Sequence, residues 1–179
     1  MSLKLENLDD RTRSLMMKEI ELDASAGIIY FSPRLNDLGQ HEYLALLREA
    51  ISFKDDLWLA EQIRKKNMLR SHEQRRKPKG GYSVALVPVT AAETLAEGEF
   101  NRYCIRALCV RAIEEGISSL EVYRAKQVMN ARSESKRLIG QLVDPKRLLE
   151  DLRSNVGIDT ALGLPPGPNS GLSVRIPLS

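Results

Sequence analysis

The sequence predicts a helix-rich α+β domain, a small sheet of three or four short strands packed by about six helices. Three observations lead there. Long amphipathic stretches recur at helical spacing, and short β-branched or aromatic runs stand apart from one another. Helices separate those runs rather than tight turns, an order that suits a small sheet covered on one side. A nearly all-α fold is the alternative. The chain has 179 residues, 42% apolar and 28% charged. That suits one well-buried core, spanning 1–179 as a single domain, and lies far from disordered compositions.

The elements follow in chain order. Asn7 or Asp9 can cap a first helix, with Leu8, Leu15, Met16 and Ile20 on one face and Gly27 as its stop. Ile28–Phe31 is short and apolar and predicts a buried strand, broken by Ser32-Pro33-Arg34. A second helix is expected from Gln40 to Phe53, and a third from Asp55 or Asp56 carrying Leu59 and Ile63 inward. Trp58, between Leu57 and Leu59, is expected in the core.

Tyr82–Val89 alternates loosely and is valine-rich, which predicts a strand with Pro88 near its end. Thr90-Ala91-Ala92-Glu93 has capping-box spacing. It opens the strongest helix of the chain, running to Glu115 and stopped by Gly116. This helix is apolar on most sides and so should be central, although Gly98 weakens its start. Leu120–Ala125 alternates with period two and predicts another strand. A short helix can occupy Ser133–Gly140, and Asp144-Pro145 should cap a helix through Arg153. A Pro/Gly-rich segment, 163–171, precedes a short strand at Val174–Ile176.

The clearest departure from an average surface is basic. Arg64, Lys65, Lys66, Arg70, Arg75, Arg76, Lys77 and Lys79 fall within sixteen positions, against the single acidic Glu73. Those eight cations and one anion give the segment +7, while the chain is +3, which leaves −4 for the remainder. Clustered cations at a helix end and in an exposed loop around 70–81 suit phosphates, whose counterions they displace. Nucleic acid or another polyanion is the partner this predicts. The plainer reading is a solvated helix end and loop, with Lys65 and Lys66 favoured by the helix dipole. Tyr82 is the only aromatic residue close behind the cluster, so the sequence lacks the interleaving of basic and stacking aromatic residues typical of single-strand binders.

Arg102 and Arg106 share a face of the central helix with Glu99. Buried, they form either an anion pocket or a structural ion-pair network with Glu97, Glu99 or Glu121. Cys104 and Cys109, five apart on that helix, are poorly placed for a disulfide and suit a reducing compartment, the cytoplasm. His41 and His72 are too few and too far apart to predict a metal site. No phosphate loop, dinucleotide fingerprint or nucleophile elbow occurs, so no cofactor is expected and catalytic residues are not legible. No stretch is apolar enough to cross a bilayer, and the opening residues lack the pattern of a secretory signal. Two further classes stay open. One is an oligomeric interaction or scaffold protein with a protein partner; the other is an enzyme on a small anionic substrate bound by Arg102 and Arg106.

Overall fold

The structure is a computed structural model describing residues 2–126, 133–157 and 171–177. The Pro/Gly-rich segment 163–171 lies outside the described residues, apart from Gly171. The elements are α1 (Asp10–Ala26), α2 (Asp37–Phe53), α3 (Asp56–Lys65), β1 (His72–Arg76), β2 (Tyr82–Leu86), α4 (Ala91–Glu115), β3 (Leu120–Arg124), α5 (Ser133–Leu138), β4 (Leu142–Val143), α6 (Pro145–Ser154) and β5 (Leu172–Arg175). They make a helix-rich α+β fold with two antiparallel sheets, a β1–β2 pair and a β4–β3–β5 sheet. No described helix is long and apolar enough to cross a membrane.

Helix α4 is the axis of the fold. It packs against α1, α3 and α6 and also touches α2 and β5. Leu95, Phe100, Cys104, Ala107 and Leu108 are all buried on it, as expected for a helix apolar on most sides. The three-stranded sheet closes one flank. Val122 of β3 stands opposite Val174 of β5, and both are fully buried with Leu120 and Leu172. Asn101 of α4 fixes that flank by donating to the Leu172 carbonyl at 2.8 Å.

Local chemistry sets the helix ends. Asp9 caps α1 by accepting from the Thr12 N–H at 2.9 Å. At its far end Gly27 adopts φ 68°, its N–H bonds to Ala24 and that of Ile28 to Asp23. This is a Schellman ending, and α4 closes the same way at Gly116. Helix α3 repeats it with asparagine: Asn67 sits at φ 50°, its N–H bonds to Arg64, and the Met68 N–H bonds to Ile63. Met68 and Ile63 are both fully buried, the hydrophobic contact that accompanies such an ending.

Four expectations are corrected. Ile28–Phe31 is irregular, not a strand. The Ile28 N–H is committed to the Asp23 carbonyl, and Phe31 packs edge-on against Tyr43 of α2 at 6.2 Å. Ile29, Tyr30 and Phe31 are partly buried against the core with no strand beside them, while Ile28 is exposed. Thr90 makes no side-chain cap; its φ −92° and ψ 8° depart from the extended conformation that aims a hydroxyl at the helix, and Glu93 pairs with Arg64 instead. The expected loop around 70–81 contains a strand, β1, paired with β2 through five positions from His72↔Leu86 to Arg76↔Tyr82. Trp58 is only partly buried, at the edge of the core.

The two-residue β4 pairs Leu142 with Glu121 and Val143 with Leu120, and is too short to show alternation in sequence.

Two glycines of the helices differ in what surrounds them. A Cβ on Gly39 would lie 2.5 Å from the Met68 carbonyl and 2.8 Å from Leu35 Cδ2, whereas one on Gly98 would meet nothing within 4 Å. Gly39→Ala should therefore lower stability by about 1–3 kcal/mol through overpacking. Gly98→Ala should raise it by about 0.5–1 kcal/mol through helix propensity. Urea denaturation of the two variants checks both signs.

Candidate nucleic-acid interface

The β1–β2 hairpin contributes nothing to the buried core. Its strands are joined by 77–81. The Gly80 N–H bonds to the Lys77 carbonyl at 3.1 Å and the Lys77 N–H to the Gly81 carbonyl at 2.9 Å. Pro78 takes the second position of that turn, and Gly80 and Gly81 have φ 90° and 77°, which side chains rarely tolerate.

The root is held to the body. Leu35 and Leu69 form an isolated antiparallel bridge, flanked by Asn36 N–H to Met68 at 2.9 Å and Arg70 N–H to Arg34 at 2.8 Å. Arg34 then grips Glu73 through Nε at 2.5 Å and Nη2 at 3.3 Å. Arg75 adds a third contact to Glu73 at 2.7 Å. Hydrogen bonds from Arg34 and then Arg75 hold the Glu73 carboxyl below its usual value, so it stays charged near neutrality.

The eight basic residues divide into two groups. Arg64 pairs with Glu93, Lys65 with Glu61 at 3.9 Å and Lys66 with Glu42 at 2.6 Å. Arg70 donates Nε to the Leu35 carbonyl at 3.0 Å, and Arg75 is on Glu73. Arg76, Lys77 and Lys79 have no ion pair among the described residues. All three lie exposed at the hairpin tip. The predicted cluster therefore divides into three exposed cations at the tip and five behind it, four of them on carboxylates and Arg70 on a backbone carbonyl.

One feature of the hairpin escaped the sequence reading. Residues directly opposite share a face, so His72, Gln74 and Arg76 stand beside Leu86, Val84 and Tyr82. Tyr82 is 67% exposed, Val84 71% and Leu86 69%. Glu73, Ser83 and Ala85 occupy the other, more covered face, toward Arg34. Alternation in 82–86 was the available signal, but without β1 as partner it could not say which face pointed outward.

Arg102 and Arg106 are elsewhere, inside the body. Arg106, 1% exposed, donates Nε to Glu19 at 2.8 Å and both Nη groups to Asp23 at 2.6 and 2.9 Å. Arg153 of α6 also binds Glu19, at 3.0 and 2.5 Å, and the Tyr103 hydroxyl donates to Asp23 at 2.9 Å. Arg102 bonds to Glu99 at 3.3 Å and to the Asn155 carbonyl at 2.9 Å. Burial opposes the charge on Arg106, but Asp23 and Glu19 outweigh it and raise its pKa. Burial also raises Glu99, against the pull of Arg102. Among the described residues Glu99 is the expected carboxylate that Arg102 meets, while Glu97 pairs with Lys126 and Glu121 with Arg175. A substrate anion on Arg106 would have to displace two carboxylates.

Cys104 and Cys109 are buried free thiols, and burial pushes Cys104 up to about 12 and Cys109 higher still. Neither is a reactive thiolate near neutral pH. Among the described residues no group of three or more His, Cys, Asp or Glu is placed to hold a metal ion. Comparison with protein-family models, curated proteins and solved structures gives no match to this chain.

Removing one partner of a buried pair strands the other charge. Arg106→Met should therefore cost about 3–5 kcal/mol in urea denaturation. Arg106→Lys should recover only part of this, because one ammonium cannot reproduce the planar fork.

Proposed function

We propose that this chain binds nucleic acid through the β1–β2 hairpin, with phosphates seated on Arg76, Lys77 and Lys79. One observation carries the reading. These three cations are gathered at the tip of an element outside the core, with no ion pair among the described residues. Exposed cations without partners are the groups that can exchange counterions for phosphates. Arg75 and Arg34 have a different part: with Glu73 they brace the hairpin root. A reducing compartment such as the cytoplasm fits the two free thiols and the presence of nucleic acid.

The test is salt dependence. With about three phosphate contacts, affinity for a fluorescent oligonucleotide should fall roughly twenty- to fortyfold between about 50 and 200 mM salt. Arg76→Gln/Lys77→Gln/Lys79→Gln should bind weakly and with a flat salt response. Unchanged binding by that triple variant would contradict the proposal.

A further inference from the structure

Resting on that reading, we infer that the nucleic acid taken by the hairpin is single-stranded, its bases lying on Tyr82 with Val84 and Leu86 beside it. The argument starts from which face is turned outward. Tyr82, Val84 and Leu86 form a contiguous exposed apolar row, while the hairpin's one carboxylate, Glu73, is on the opposite face and already bound by Arg34 and Arg75. The outward face holds no acidic residue, and Arg76 sits directly across from Tyr82. A phosphate-binding cation and an aromatic ring are thus neighbours on one surface. The Tyr82 side chain has no hydrogen bond, ring contact or cation contact among the described residues, so its ring is available.

Duplex grooves present hydrogen-bonding base edges. Val84 and Leu86 against those edges would strip their water and return no hydrogen bond, which is unfavourable. Unpaired bases instead offer flat apolar faces, which aromatic side chains cover regardless of sequence. Spacing agrees: alternate residues of a strand are about 7 Å apart. Bases of a duplex repeat along one strand at about 3.4 Å. The row therefore matches bases drawn apart, not a continuous stack. Tip cations with an adjoining ring are also the pairing of groups found in sequence-tolerant single-strand binders.

The experiment compares a twenty-nucleotide oligo(dT), an oligo(rU) of equal length and a blunt DNA duplex, using anisotropy at fixed low salt. Four proteins are tested: the unaltered chain, Tyr82→Thr, Tyr82→Trp and the triple tip variant. Threonine keeps strand propensity, so the hairpin should persist. At least one single strand should bind more tightly than the duplex. Tyr82→Thr should weaken that binding on the order of tenfold and leave duplex binding unchanged, while Tyr82→Trp retains it. Equal affinity for strand and duplex, or equal loss from both in Tyr82→Thr, would overturn the inference and leave the phosphate-binding reading standing. No binding of any oligonucleotide would remove both. Light scattering adds a further arm: a dimer abolished by Tyr82→Thr would assign the face to a second copy and overturn the inference.

Discussion

The Arg106 guanidinium, closed between Glu19 and Asp23, is the interaction on which the rest of the fold depends. It lies on the most buried helix and reaches two carboxylates of α1, while Arg153 of α6 grips Glu19 from the other side. Three helices distant in sequence are thereby held in one register. Three carboxylates, Glu19, Asp23 and Glu99, face three guanidinium groups, Arg102, Arg106 and Arg153. Such a cluster is a poor source of net stability compared with apolar packing, but it penalises every arrangement that separates its members.

The same economy of charge explains the surface. Arg64, Lys65 and Lys66 behind the hairpin are held by carboxylates on α4, α3 and α2, while Arg76, Lys77 and Lys79 at the tip have no ion pair among the described residues. The hairpin has no core of its own, and two isolated strands are marginal in water. Its orientation comes from its root: the left-handed Asn67, the bare Gly39 under the Met68 carbonyl, the Leu35–Leu69 bridge and the Arg34–Glu73 fork. The candidate site is hydrogen-bonded to the fold at its root and exposed at its tip.

Much of this was legible in sequence where the cause is local. Asp9, Gly27, Gly116 and the Asp144–Pro145 pair mark real helix ends because capping depends on a few neighbouring residues. The all-round apolar pattern of α4 announced a central helix. What failed needed a partner to be seen. Ile28–Phe31 has strand composition but no strand beside it, and an apolar run alone does not distinguish the two outcomes. His72–Arg76 has no apolar alternation and pairs only because the 77–81 turn returns Tyr82–Leu86 to it. The partners of Arg106 lie 83 and 87 residues away, beyond any helical spacing rule. The cationic residues were visible as a cluster, but which of them were already paired was not.

The most direct test of the account is a residue-resolved map of binding. An isotopically labelled sample would be titrated with a short oligo(dT) and followed by amide chemical shifts. The account predicts that the large changes fall between His72 and Leu86, centred on Arg76–Tyr82, while amides of α4 around Arg102 and Arg106 stay in place. Shifts centred on the Glu19–Asp23–Arg106 cluster, with the hairpin unmoved, would contradict it and transfer the site to the interior of the fold.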